Sequence, residues 1–449
     1  MLKDPLKAPY PGLGEDHPDT YWAATAGPLA GDDGPLKEDM ETDVAIIGGG
    51  YTGLSTAYFL AREYGIRAVV LEANRPGWGC SGRNGSFVMS TIGRHGYDTW
   101  VEKWGMKTAL ALYAEGKAAL ATVHELIDVG GIDCDCQPEG LLKMAHRPSR
   151  ITKLEAEQKV LAEVFGGHSE LLDAQAIADT HFQGAEAYAA LRTLGNFTLH
   201  PLKLLNGVLI LARAAGAVVH SASPVINWSK DSRHHVLMTP GGRVRAKRVV
   251  MAGNGYTFDG LHKTLRGCHL PVLSNIIVTR PMSATELAES RFVSTDAMLD
   301  TRHTSTYFRR LPDNRVMMGG RGPITATPSG LAAHRQALLN VVRTKFPALG
   351  QITADYFWDG WVNVSYDYMP HIHHAKDDAS VHYAGGYTGK GVAFSLHAGR
   401  LLAASLTGNS TAHPRLPFLG PMPRYPLAAF RRLGQRALLM WYRYLDEKD

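Results

Sequence analysis

The sequence predicts an α/β chain, α+β overall: a Rossmann-like domain interrupted by an inserted domain built on a mixed β-sheet. Three observations predict it. From Thr42 a strand, a glycine turn, a helix and a second strand follow within about 30 residues, the βαβ pattern. A second strand–glycine–helix unit, beginning VHYAGGYTGKGV, lies near the far end of the chain. Between them runs a long middle of mixed helical and strand patterns with no internal repeat. A domain assembled from separated segments around an insertion explains that layout better than domains in succession.

The chain of 449 residues is 45% hydrophobic and 20% charged, which excludes a mostly disordered protein. A formal net charge of +5 is too mild to mark a nucleic-acid binder. No apolar run reaches the roughly 18 residues of a membrane span. Four cysteines, Cys80, Cys134, Cys136 and Cys268, make neither a disulfide framework nor a zinc pair. They fit a reducing compartment, so a cytoplasmic location is expected. No apolar run follows the first lysines, so no secretory signal is read there.

Residues 1–41 contain Pro5, Pro9, Pro11, Pro18, Pro28 and Pro35, which forbid long helices. We read an extended arm that packs Trp22 onto the body. DVAIIGGG is then a buried parallel strand by length and composition. Leu54, Ala57, Tyr58 and Ala61 keep helical spacing, and Gly65 closes that helix. IRAVVLEA is a second buried strand, followed by a glycine-rich loop over 76–97. Helices are expected over 99–129 and 148–165, with the strand GLLKMAH between them, and over 201–215. AVVHSA, PVINW, HHVLMT and RVVMAG read as strands, as does most of 270–320. A helix over 329–346, the strand YFWDGWVN and a helix over 392–406 complete the pattern.

The chemistry begins at Gly48-x-Gly50-x-x-Gly53, directly after a strand and opening a helix. Gly48 allows the tight turn, Gly50 lets backbone approach a pyrophosphate, and Gly53 lets the helix pack close to the sheet. Tyr51 and Thr52 open the helix, whose N-terminus offers free N–H groups to phosphate. Glu72, with Ala73, ends the second strand about 20 residues on, where a carboxylate accepts hydrogen bonds from a ribose diol. The spacing alone does not choose between NAD and FAD.

ETDVAIIGGGYTGLSTAYFLA and VVLEANRPGWGCSGRNGSFV resemble the D-amino-acid oxidase superfamily of flavoproteins, and more narrowly the gamma-glutamylputrescine oxidoreductases. FTLHPLKL, KRVVMAGNGY and YAGGYTGKGV extend the resemblance over nearly the whole chain. The sequence departs from the narrower group at Ser86, usually glycine, and at Lys390, histidine in many members. The resemblance implies FAD. It divides the chain into an arm (1–41), a discontinuous FAD-binding domain (42–98, 196–265 and 355–415), a substrate domain (99–195 and 266–354) and a C-terminal segment (416–449).

Small residues in the loop Ser81-Gly82-Arg83-Asn84-Gly85 let backbone run beside a flavin, with Ser81 and Arg83 available to phosphate or ring. The resemblance places Val225 at the adenine, Ala252 and Gly253 beside the dinucleotide, and Gly386, Thr388, Gly389, Lys390, Gly391 and Val392 in a second flavin motif. A helix start there, with Lys390, favours negative charge on the flavin edge. On the substrate side, Arg309 is chosen by family register to fork onto a carboxylate, with Tyr307 nearby. Strand alternation allows at most one of Arg309 and Arg310 to point inward. His200, Trp358 and Trp361 are candidates for the pocket wall, and Cys80 for a covalent flavin link, with non-covalent FAD the default. His371, His373 and His374 lack a carboxylate or cysteine at metal-like spacing, so no metal is expected.

The expected activity is FAD-dependent oxidation of a C–N bond of a small amine or amino acid by hydride transfer to the flavin N5. Electrons then pass to oxygen or another acceptor. The alternatives are a cyclic amino-acid oxidase or dehydrogenase, for pipecolate or proline-like substrates, and a flavin-binding subunit without turnover. At the C-terminus Leu427, Phe430, Ala437, Leu438, Trp441 and Leu445 form a helical stripe beside Arg431, Arg432, Arg436 and Arg443. Such a stripe usually faces its own core, which is the expectation here. The alternative is peripheral contact with an anionic membrane at its inner face, or with a partner.

Overall fold

The computed structural model describes residues 4–409 and 416–448. Residues 1–3 of the expected arm, 410–415 of the last FAD-domain segment and residue 449 lie outside the described residues. Among the described residues, two sheets of eight strands each dominate. In the first, the strand Met40–Ile47 lies between Gly242–Met251 and Ala68–Leu71, parallel to both. Val218–His220 extends the sheet beyond Ala68–Leu71. Asp378–Gly385 adds in parallel beside Gly242–Met251, with His371–Ala375 antiparallel at the edge.

These strands read as apolar runs because both faces are covered. Val44, Ile46 and Val70 pack under the helices Tyr51–Tyr64 and Val392–Leu406. Ala45, Val69 and Leu71 face a layer holding Leu36, Val225 and Leu237. Helix Tyr51–Tyr64 ends at Gly65 in the left-handed region, φ 67°, as the sequence spacing requires.

The second sheet runs in the order Ala354–Ser365, His269–Thr279, Val316–Arg321, Tyr307–Arg310, Ala297–Asp300, Leu141–Ala145, Ala189–Thr193 and Ser169–Asp173. Residues 355–365 were expected in the FAD-binding domain. Their strand instead pairs antiparallel along the length of His269–Thr279. A strand this long, with Trp361, Val362 and Val364 against Leu273, Val272 and Leu270, is held by its cross-strand partners.

The arm packs as a strap. Thr20 caps a short helix, Tyr21–Thr25, through its side-chain oxygen. Trp22, 1% exposed, donates from Nε1 to the Asn84 carbonyl at 2.9 Å and meets His200 and Trp358 edge-on.

The C-terminal helix Arg431–Lys448 splits the expected stripe: Leu438 and Leu445 are half-buried, while Leu427, Phe430, Ala437 and Trp441 are exposed. Its fully buried residues are polar. Arg431 pairs with Asp259 at 2.9 Å and donates to the His269 carbonyl, Arg432 pairs with Asp4, and Asp446 accepts from Thr304 at 2.7 Å. Gln435 is buried among them. Buried charge demands partners, and those partners lie on the protein body, so Phe430, Ala437 and Trp441 turn outward with Leu433 and Met440.

Trp22→Ala should cost about 3–5 kcal/mol, the range for deleting a buried aromatic ring. Trp22→Phe should recover most of the packing but not the bond to Asn84. Denaturant midpoints of the two variants check this ordering.

Candidate active site

The glycine turn is built by backbone contact. A Cβ on Gly53 would lie 1.9 Å from the Gly48 carbonyl oxygen, so helix Tyr51–Tyr64 approaches the turn to a distance only glycine permits. Gly50 stands at the helix start without a side-chain cap, and the Tyr51 N–H is met by the Ser81 hydroxyl at 2.9 Å. Ser81 thus ties the loop to the turn. Glu72 follows the strand Ala68–Leu71, and its carboxylate accepts from the Gly49 N–H at 2.6 Å and the Asn74 N–H at 2.9 Å. Burial pushes its carboxyl above the usual range.

The loop after Glu72 is braced from inside. Asn84 donates to the Cys80 and Ser81 carbonyls at 3.2 and 2.9 Å and accepts from the Ser86 N–H at 2.7 Å. Arg83 lies 4.3 Å over the Trp78 ring and donates to the carbonyls of Trp78 and Asp359. Its carbonyl accepts from Trp358 Nε1 at 2.8 Å, which pins the loop to the second sheet. Cys80 donates its thiol to the Trp361 carbonyl at 3.0 Å, and burial pushes that thiol up to about 11. Such a thiol is a poor nucleophile.

The second motif closes on the first. Asn254 Oδ1 accepts from the Gly386 N–H at 3.1 Å, and Tyr387 hydrogen-bonds with the Thr52 hydroxyl at 2.7 Å. Thr388 donates to the Gly386 carbonyl at 2.8 Å, and Gly391 opens helix Val392–Leu406.

These pieces wall one cavity of about 660 Å³. Gly48, Gly50, Tyr51, Thr52, Glu72 and Ala73 line one part, with Val225, Ala252 and Gly253. Ser81, Arg83, Asn84 and Gly85 line it from the loop, and Thr388, Gly389, Lys390, Gly391 and Val392 from the second motif. Gly53, Gly82 and Gly386 do not reach the cavity; they set the backbone behind it. The arm also contributes Tyr10 and Leu13, with the Tyr10 hydroxyl on the Val225 carbonyl. Sequence reading missed this, because an irregular arm has no periodicity to place it.

The far end of the cavity is cationic and aromatic. Tyr307 hydrogen-bonds with Ser274 at 3.3 Å, and a Cβ on Gly319 would lie 2.1 Å from its ring. Burial pushes its phenol up to about 12. Trp358 forms a wall. Lys390, Arg94, Arg302, His303 and Arg321 also face the space. Arg302 is neutralised by Asp300 and Glu186. Lys390 and Arg321 have no carboxylate partner among the described residues; burial, with Lys143 and Arg94 nearby, brings the Lys390 ammonium down to about 8.

Three expectations for the substrate side are corrected here. Arg309 does not line the cavity. It shares a strand face with Tyr307 but lies beyond the cavity's end, 5.7 Å over Trp22, donating to the Leu199 carbonyl at 3.3 Å. Arg310 turns to the opposite side, onto Asn314 and the Val293 carbonyl. His200 caps helix Pro201–Ala214 by accepting from the Lys203 N–H at 3.2 Å, and burial lowers its imidazole to about 4. Trp361 is fully buried in a separate cluster with Leu273 and Trp78. His371 is held by Asp367 and the Gly420 carbonyl.

A half-buried carboxylate without a cation beside it, at the end of the second parallel strand and opening on the same cavity as a helix N-terminus, suits a ribose diol and pyrophosphate. The residues therefore fit a flavin dinucleotide. Glu72→Gln should weaken FAD binding by about 10- to 100-fold, the loss of charge-assisted hydrogen bonds of ~1.5–3 kcal/mol. Titration of apoprotein with FAD measures it.

The comparisons agree with that fit. The chain is 33% identical over 435 residues to the gamma-glutamylputrescine oxidoreductase of Escherichia coli K12, covering 97% of this chain and 99% of that protein. It is 29% identical over 419 residues to the probable oxidoreductase OrdL of Rhizobium meliloti, covering 92% and 94%. The solved glycine oxidase of Geobacillus kaustophilus shares the fold at a TM-score of 0.70 and 21% identity, over 86% of this chain and 99% of that one. The model of the family described as FAD dependent oxidoreductase, DAO, matches residues 43–405, and with that extent of agreement the chain belongs to this family of flavin enzymes.

Proposed function

We propose that this enzyme oxidises a C–N bond of an amine that also carries a carboxylate: an amino acid, or an amine bearing an amino-acid group. The observation that carries the reading is one continuous cavity, with the dinucleotide cradle at one end and unpaired cations beside Tyr307 and Trp358 at the other. Bound FAD supplies a two-electron acceptor for the hydride on the carbon beside nitrogen.

The protein's own residues then position and exclude. Glu72 and the glycine turn would hold the ribose and pyrophosphate. Lys390 and the start of helix Val392–Leu406 would hold the electron-rich edge of the ring, and the same Lys390 cation adds to the positive field that draws a carboxylate. Arg321 and Arg94 offer forked donors to a carboxylate. Arg94 is itself fixed by the His303 carbonyl at 2.7 Å. Tyr307 and Trp358 supply a flat apolar wall that keeps water from the reacting carbon. Positioning of this kind supplies much of the rate for a reaction that needs no strong base. The names of the relatives, an oxidoreductase of gamma-glutamylputrescine and a glycine oxidase, support the same substrate class.

Anaerobic mixing with a panel of amines tests the reading. Carboxylate-bearing amines should bleach the flavin absorbance, and the same amines without the carboxylate should need at least tenfold higher concentration. Equal bleaching by both sets removes the carboxylate from the proposal, and bleaching by none makes the protein a flavin-binding subunit. Peroxide formation in air then separates oxygen from another acceptor.

A pH prediction follows from Lys390. Its cation is present below about 8 and lost above it. A competitive carboxylate without an amine should therefore bind up to about tenfold more weakly at pH 9 than at pH 7. Lys390→Met should bind it weakly and with no step across that range. Inhibition constants measured in steps of pH check both.

A further inference from the structure

The helix Arg431–Lys448 is amphipathic, and its fully buried residues are polar. Arg431, Arg432 and Asp446 anchor it by ion pairs and hydrogen bonds to Asp259, Asp4 and the His303–Thr304 turn. Leu438, Leu439, Tyr442 and Leu445 are half-buried on the docked side, but a second set of apolar residues, on the helix and just before it, stays exposed. Leu427 is 78% exposed, Met440 66%, Leu433 60% and Trp441 54%, with Phe430 and Tyr444 beside them. From Phe430 onward they keep three-and-four spacing, so they form one outward stripe.

We propose that this stripe is a docking surface for an anionic lipid bilayer. Its occupant is argued from charge. Arg436 and Arg443 are exposed along one flank of the stripe and Arg424 precedes it, while the one exposed acid on the helix is Glu447. A leucine, phenylalanine and tryptophan face flanked by arginines is the pattern of a helix that lies in the headgroup plane. Trp441 and Tyr444, stacked at 5.5 Å, have the amphipathic rings that favour that depth. A second copy of this chain packed antiparallel on the stripe about a two-fold axis would bring like rows of arginine together, whereas an acidic bilayer neutralises them. Among the described residues no helix is long and apolar enough to cross a membrane, so the contact is peripheral.

The placement has a direction. Tyr442, on the inward side of the same helix, stacks on His303 and lies within 5.9 Å of the guanidinium groups of Arg94 and Arg321, all three of which line the cavity. Docking sets the rim of the substrate cavity beside the lipid surface.

Co-sedimentation of the FAD-loaded full chain with vesicles tests this. Vesicles of phosphatidylcholine with 30% phosphatidylglycerol should pellet the protein at low salt and release it at high salt, while pure phosphatidylcholine should not pellet it. Leu433→Glu with Trp441→Glu should weaken vesicle binding at least tenfold and leave FAD content and turnover unchanged. Arg436→Glu with Arg443→Glu should do the same at low salt. Full-length protein that stays in the supernatant with the acidic vesicles overturns the proposal. So does equal binding to neutral vesicles. A dimer in solution that Leu433→Glu with Trp441→Glu dissociates, without vesicle binding, assigns the stripe to a second copy instead.

Discussion

The carbonyl oxygen of Gly48 occupies the space where a side chain at residue 53 would begin. Because none does, helix Tyr51–Tyr64 rides against the turn, and its N-terminus opens on the cavity. The rest of the site is stacked on that contact. Ser81 meets the first N–H of the helix, Glu72 reaches the Gly49 N–H, and Tyr387 closes on Thr52 from the far end of the chain. Each is a short polar contact to a backbone or hydroxyl group whose position the helix fixes. A helix held a further ångström or two away would leave these partners out of reach and the half-buried Glu72 carboxylate without its donor at Gly49.

What could be read from the sequence follows the range of the interactions. The βαβ unit, the acid after its second strand and the second glycine motif are local patterns. Spacing, helix periodicity and turn residues carry them, and the structure gathers them around one cavity. The substrate end is different. Alternation placed Tyr307 and Arg309 on one face correctly, but it carries no information on depth along the strand. Trp22, from an arm nearly 290 residues earlier in the sequence, takes the place beside Arg309 and leaves Tyr307 at the cavity. Arg94 and Arg321 come from a loop and a strand end with no motif of their own. Their shared signal is three-dimensional: two arginines brought to one aromatic ring, that of Tyr442.

The C-terminal helix shows a second limit of pattern reading. Its hydrophobic periodicity is strong, and periodicity gives the existence of a stripe but not the side on which the body lies. That side is chosen by the partners of its polar residues. Asp4, Asp259 and the turn at His303 are spread along the chain, and each holds one charged group that would be costly to bury alone. Specific ion pairing thus overrides, for part of the stripe, the usual rule that an apolar face turns inward.

The hydrogen bond between Thr52 and Tyr387 joins residues 335 apart, and Asn254 reaches Gly386 across 132. The first βαβ unit is synthesised long before its covering helix, Val392–Leu406, exists. Until that helix leaves the ribosome, the face of the sheet carrying Val44 and Ile46 has only part of its apolar cover. Closing so long a loop is slow, because its entropy is lost before the contacts repay it. The flavin cradle therefore forms late in biosynthesis, and a chain truncated before residue 392 exposes an apolar sheet that cellular quality control can recognise.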